Sequence, residues 1–267
     1  MHLLLRQLAL IASVIVSGWL APITARAQTD VPAIAAAADL QFAVTEIAAV
    51  FTAETGMQIK LSTGSTGNFA RQIRAGAPFQ LFMAADEAFI KDLHRDGFTR
   101  DAGELYAVGR IVVIVPHGSP LAADGTLGAL QRALAAGKIT RFAIANPDHA
   151  PYGVRAREAL QHAGLWEAIQ PKLVLGENVS QAAQFALSGN AEGGIIAYSL
   201  ALAPNIRARG SFALIPAAWH EPLRQRMVLL KTAGPIAEAF YAFMQTAAAR
   251  PIMKAYGFVL PGEVAGD

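Results

Sequence analysis

The sequence contains no cysteine. That absence excludes a disulfide framework, a cysteine-held metal and a lipobox anchor. Histidine is sparse: His2, His94, His117, His149, His162 and His220 form no H-x-H or H-x-x-x-H pair, so no local metal site is encoded. Neither a basic stripe nor an aromatic ladder is present, which argues against a nucleic-acid partner. The hydrolase elbow G-x-S-x-G is also missing; GSTGN at 64–68 places no base beside Ser65. A hydrolase is therefore the weakest reading, and the chain is not expected to be an enzyme. His149, in a loop, reads as a surface residue rather than a general base.

What is present is a long apolar chain, 54% hydrophobic over 267 residues, enough for one large domain or two ordinary lobes. Residues 1–27 stand apart: Arg6, then LALIASVIVSGWLA, then Ala25-Arg26-Ala27. A basic start, an apolar run and a small-x-small site describe a secretory signal peptide cut after Ala27. The other reading, a retained anchor, is disfavoured by the short run and by Pro22. Without Arg6 and Arg26 the chain carries 20 basic and 20 acidic residues, so the exported form is expected to be formally neutral. The expected location is the periplasm.

From residue 31 short apolar runs alternate with helical periods. VPAIAAAA reads as a strand; Leu40, Ala43, Val44, Ile47, Val50 and Phe51 recur at helical spacing up to Gly56. Residues 58–63 and 80–85 read as strands, 68–77 as a helix, and Asp86 as the cap of the next helix. A second series follows, with strands at 110–116, 142–146, 172–176 and 193–199 and helices between them. The chain then returns with strands at 212–216 and 224–230 and two helices, in which Phe240, Phe243 and Met244 read as core. This order predicts an α/β fold of two lobes, each a mostly parallel sheet flanked by helices, joined by two crossings near 105–112 and 208–217. Lobe 1 would comprise 28–108 and 212–267, and lobe 2 would be 109–211.

Open α/β sheets bind ligands beyond the carboxyl ends of their strands, where helices begin. Four such junctions fall at 37–42, 63–68, 146–153 and 176–180. Each offers backbone N–H groups with no intrahelical partner at the positive end of a helix, which suits an anion. At the second, Gly64 and Gly67 allow a tight turn, and Ser65 and Thr66 bring hydroxyl donors. At the third, Pro151 presets the first helical dihedral ahead of Tyr152 and Gly153. At the fourth, Asn178 is a plausible cap before Val179 and Ser180. Any one of these is an ordinary capped helix; a ligand is suggested only by the set.

The segments AAAADLQFAVTEIAAVFTAETG, STGSTGNFARQIRAGAPFQLFMAADE, NPDHAPYG, GENVSQA and AYGFVLP, in that order, resemble the periplasmic molybdate-binding proteins of ABC transporters. The resemblance implies a two-lobed type II periplasmic binding protein that closes on molybdate or tungstate and delivers it to a membrane permease. It implies a monomer with no cofactor. The implied anion contacts are Ala38 and Asp39, Ser65 and Thr66, the Tyr152 N–H, and Asn178 with the Val179 N–H. Of these, Thr66, Tyr152 and Val179 would touch the oxyanion oxygens, none ligating the metal itself. Two departures stand out. Ala38-Asp39 replaces the Ser or Thr and Asn common in the family, and Ala197 stands where some members use a tyrosine, with Tyr198 one residue on and facing elsewhere. Asp39 beside a dianion leaves two readings open. It caps the following helix through the N–H of Gln41 or Phe42, the favoured reading, or it accepts a hydrogen bond from a protonated oxyanion such as phosphate or arsenate. A periplasmic oxyanion sensor subunit would carry the same pocket.

Overall fold

The computed structural model describes residues 31–263; the expected signal peptide lies outside them. The first half of the chain alternates β1 (Ala33–Ala37), α1 (Gln41–Thr55), β2 (Lys60–Gly64), α2 (Thr66–Arg74), β3 (Phe79–Ala84), α3 (Glu87–Arg95) and β4 (Glu104–Gly109). A 3-10 turn, Ala38–Leu40, links β1 to α1. Then come β5 (Ile111–Pro116), α4 (Gly128–Ala135), β6 (Phe142–Ala145), α5 (Pro151–His162), α6 (Trp166–Ile169), β7 (Leu173–Gly176), α7 (Val179–Leu187), β8 (Gly193–Ala197), α8 (Tyr198–Ala201), α9 (Pro204–Arg207) and β9 (Gly210–Leu214). The chain ends with β10 (Leu223–Leu229), α10 (Pro235–Phe243) and α11 (Ala249–Ala255).

Two sheets of five strands result, ordered β2-β1-β3-β10-β4 and β7-β6-β8-β5-β9. In the first, β1 runs parallel to β2 and β3, while β10 is antiparallel to β3 and β4. In the second, β6 runs parallel to β7 and β8, while β5 is antiparallel to β8 and β9. The sheets are thus mixed, and the expected mostly parallel pairing holds for three strands of each. The reason is connectivity. Parallel neighbours need a crossover, here a helix, between them, whereas β5 and β10 arrive directly from the other sheet and run the opposite way.

The two crossings differ in length. Only Arg110 separates β4 from β5, whereas residues 215–222 separate β9 from β10. The 212–216 run assigned to the first lobe is a correction: Gly210–Leu214 pairs with β5 and belongs to the second sheet, where it occupies the free edge of β5. The stretch 104–109, read from sequence only as part of a crossing, is strand β4.

Side chains alternate across the first sheet as the pleat requires. Ile34, Ala36, Leu81 and Met83 face a cluster with α1, α10 and α11, in which Phe51 meets Phe240 edge-on at 5.2 Å. Ala35, Phe82 and Ala84 face the opposite cluster with Phe69, Ile73, Ile90 and Leu93 of α2 and α3. Phe240, Phe243 and Met244 are core, as their spacing predicted. The second sheet is buried on both faces; Val112, Ile114, Phe142, Ile144, Ile195 and Ile196 are within 1% of fully buried. Burying one such side chain is worth roughly 1.5–3 kcal/mol, so the strand ends that carry the turns below stand on rigid supports.

Candidate functional site

Four helix beginnings converge between the sheets: the turn at 38–40 leading into α1, and the starts of α2, α5 and α7. They line a cavity of about 10 Å³, bounded by Ala37, Ala38, Asp39, Gly64, Ser65, Thr66, Ala85, Ala150, Pro151, Tyr152, Asn178 and Val179. All seven candidate residues read from the sequence, Ala38, Asp39, Ser65, Thr66, Tyr152, Asn178 and Val179, are among these. A cavity this small is far below the roughly 300–1,000 Å³ of drug-sized pockets. Asp39 is the one charged side chain among the lining residues, and neither lysine nor arginine is among them.

The local chemistry follows from helix ends. Thr66, Tyr152 and Val179 hold the first or second position of α2, α5 and α7, so their N–H groups lack intrahelical acceptors. Pro151 occupies the opening position of α5 as its fixed φ allows. Asn178 is the predicted cap: its side chain accepts from Gln181 N at 3.0 Å, which leaves its role at the cavity to position Val179. The Thr66 hydroxyl accepts from Ala85 N at 3.1 Å, which fixes its oxygen and leaves its hydrogen to donate.

Asp39 does not cap the helix, and this corrects the favoured sequence reading. The 3-10 turn and α1 begin without a side-chain capping bond. Asp39 lies inside the turn, and its carboxylate makes no bond to the N–H groups of α1. Its Oδ2 instead accepts from Tyr152 Oη at 3.0 Å and from Gln225 Nε2 at 2.7 Å. The Tyr106 hydroxyl donates to Gln225 Oε1 at 2.8 Å, which orients the amide so that its nitrogen faces Asp39. Oδ1 is buried and has no hydrogen-bond partner among the described residues. Burial raises the Asp39 pKa from 3.8 to about 6, against the opposing pull of Gln225, Tyr152 and its own backbone N–H. Burial first, and the Asp39 charge second, push Tyr106 and Tyr152 well above the usual phenol range, so both remain donors.

Further contacts join the elements of the two sheets around the cavity. Ser180 Oγ lies 3.0 Å from Ala38 O and 2.8 Å from Gln41 Oε1; Ser199 Oγ donates to Asp39 O at 2.8 Å. Asp86 caps α3 through Ala88 N, as predicted, and its second oxygen takes Arg155 of α5 at 2.9 Å. His149 is not the surface loop residue its sequence context suggested. Its side chain is only 10% exposed. Its carbonyl accepts from Gly67 N at 2.9 Å and lies 2.7 Å from Ser65 Oγ, which also lies 2.9 Å from His149 Nδ1. The Ser65 hydroxyl hydrogen is therefore engaged across the cleft rather than free for an anion. Gly67 is needed for the same approach: a Cβ there would sit 2.5 Å from His149 O. Asn68 completes this rim by bonding Glu177.

Tyr198 packs against Phe212, ring centres 5.9 Å apart, and neither it nor Ala197 lines the cavity. Gln225 was missed, whereas Tyr106, which reads from the sequence as a core or hinge residue, is buried. One signal existed for Gln225: in β10 it holds an inward position between Leu223 and Met227 and is fully buried, a place where a polar side chain must have a partner. Among the described residues no group of three or more His, Asp or Glu side chains is placed to hold a metal ion.

Two mixed sheets meeting at a small cavity built from helix starts on both sides define a solute-binding protein. The chain belongs to the bacterial extracellular solute-binding proteins, whose family description it matches over residues 33–259. It is 36% identical to the molybdate-binding protein ModA of Rhodobacter capsulatus over 228 residues, 84% of this chain and 86% of that one. It is 35% identical to ModA of Azotobacter vinelandii over 230 residues, 85% of this chain and 89% of that one. Its fold matches the solved periplasmic molybdate-binding protein of Azotobacter vinelandii with a TM-score of 0.76 at 31% identity, covering 86% of this chain and 99% of that chain.

Proposed function

We propose that the chain is a periplasmic binding protein that captures molybdate, or tungstate of nearly equal size and charge, and hands it to an ABC-type permease. The observation that carries this reading is the convergence of four helix beginnings on one cavity whose lining residues include no basic side chain. A partly buried helix N-terminus stabilises an anion by up to ~2 kcal/mol. Four such ends set a ceiling of roughly 8 kcal/mol, from which the costs of association and of removing water from the anion are subtracted. The relatives named above as molybdate-binding support the choice among anions. Fixed donors select by size, because molybdate and tungstate have longer metal–oxygen bonds than the bonds of sulfate. Ala38, Thr66, Tyr152 and Val179 surround the anion through backbone N–H groups and the Thr66 hydroxyl, and Ser65 and Asn178 hold the turns in place. The two halves close by rotation at the crossings, the closed monomer docks on the permease, and the binding protein itself performs no chemistry.

Titration calorimetry of the exported form against molybdate, tungstate, sulfate, phosphate and arsenate tests this. Molybdate and tungstate should bind at micromolar concentration or below, with sulfate at least tenfold weaker. Sulfate or phosphate binding as tightly as molybdate would refute the assignment.

A further inference from the structure

The cavity contains a group that a site made only of donors does not need. Asp39 is 1% exposed and lines the cavity, and its Oδ1 is buried without a partner among the described residues. Its other oxygen is already the acceptor for Tyr152 Oη and Gln225 Nε2, and Tyr106 holds Gln225 in that orientation. A proton on Oδ2 would displace one of these two donors; a proton on Oδ1 displaces nothing. We infer that Asp39 takes up one proton when a doubly charged tetrahedral oxyanion enters, and that the protonated Oδ1 donates a hydrogen bond to the anion. The proton comes from solvent, the only bond formed is O–H at Oδ1, and it leaves again when the anion departs. This rests on the functional reading above and deepens it.

The surroundings favour proton uptake over a compensating cation. The groups acting on the carboxyl are its own backbone N–H, Tyr152 from α5, Tyr106 from β4 and Gln225 from β10, and Ser199 from α8 bonds its backbone carbonyl. No other ionisable side chain apart from Tyr152 lines the cavity. Burial already moves the carboxyl to about 6 in the empty protein. A dianion beside it moves the value further up, since like charges disfavour ionisation. An ionised carboxylate and a dianion in one small cavity repel each other; a protonated carboxyl converts that repulsion into a donor.

Titration calorimetry of the exported form with sodium molybdate tests this at pH 6.5 and 8.5, each in two buffers of different ionisation enthalpy. At pH 8.5 the buffer dependence should report uptake of one proton per molybdate. Affinity should fall by roughly two orders of magnitude from pH 6.5 to 8.5, following the protonated fraction of a group titrating near 6. In Asp39→Asn the amide supplies the donor without a proton, so uptake should vanish and affinity should change less than threefold between the two pH values. Molybdate binding with no proton uptake by the wild-type chain overturns the inference and leaves the functional reading standing. Uptake that persists in Asp39→Asn also overturns it. Failure of molybdate to bind at either pH, or tighter binding of phosphate, which brings its own hydrogen, overturns the functional reading and this inference with it.

Discussion

Gly67→Ala separates closure of the cleft from folding of the halves. A Cβ at this position would lie 2.5 Å from His149 O, 3.0 Å from its Cβ and 3.1 Å from its Cα. Two of these are backbone atoms, so a rotamer change cannot relieve the overlap. Restoring ordinary contact requires the loop at 149 and the start of α2 to part by about 1 Å. The Gly67 N–H to His149 O bond, now 2.9 Å, and the Ser65 Oγ contact, now 2.7 Å, then stretch beyond hydrogen-bonding range. Each such bond is worth about 0.5–1.5 kcal/mol net, so closure loses roughly 1–3 kcal/mol and molybdate affinity should fall about 5- to 150-fold. The same change places Ala for Gly in the first turn of α2, where helix propensity favours the folded half by at most about 1 kcal/mol. The ligand-free melting temperature should therefore stay level or rise while affinity drops. Calorimetry and thermal melting of the same preparation read both quantities. Affinity within twofold of wild type would refute the reasoning, and so would a fall in ligand-free melting temperature that tracks the lost affinity.

Two further outcomes follow from the same geometry. Thr66→Val removes a hydroxyl that both faces the cavity and accepts from Ala85 N; molybdate affinity should fall roughly tenfold or more, with about 1–3 kcal/mol of stability lost through the unpaired amide. Unchanged affinity would remove Thr66 from the site. Asp39→Asn should alter how ligand-free stability depends on pH. The Asp39 pKa is raised from 3.8 to about 6, so between those values the folded chain holds a proton that the unfolded chain has released. That stability is fully present below pH 4 and lost as pH rises through 6, about 3 kcal/mol in all at 1.36 kcal/mol per unit. Urea unfolding from pH 4 to 8 should show this decline in the wild type and not in Asp39→Asn; parallel profiles would disprove the linkage.

Local pattern carried most of the architecture. Helical spacing marked α1 up to Gly56, and the polar caps Asp86 and Asn178 each make the bond expected of them. The four junctions were legible because strand and helix periods meet there, and they converge because a sheet aligns the ends of its strands. What stayed hidden depends on partners far along the chain. Asp39 looked like a cap because its neighbours offer N–H groups; its actual donors lie 113 and 186 residues away. His149 looked exposed because its own segment is polar, while the surface that covers it comes from α2, 84 residues earlier for Ser65. The strand β4 was missed because a short run ending in glycine beside a crossing carries little periodicity of its own.

The single-residue strap at Arg110 limits how the jaws can travel. If the halves close as proposed, a strap without slack favours a swing over a slide, with displacement growing with distance from the fulcrum. Tyr152 Oη and Gln225 Nε2 fill the space a Cβ at Gly109 would take, immediately beside the strap. Atoms so near the strap would move least in such a swing. Such a swing would leave the supports of Asp39 in place, so an arriving anion would meet a carboxyl already oriented.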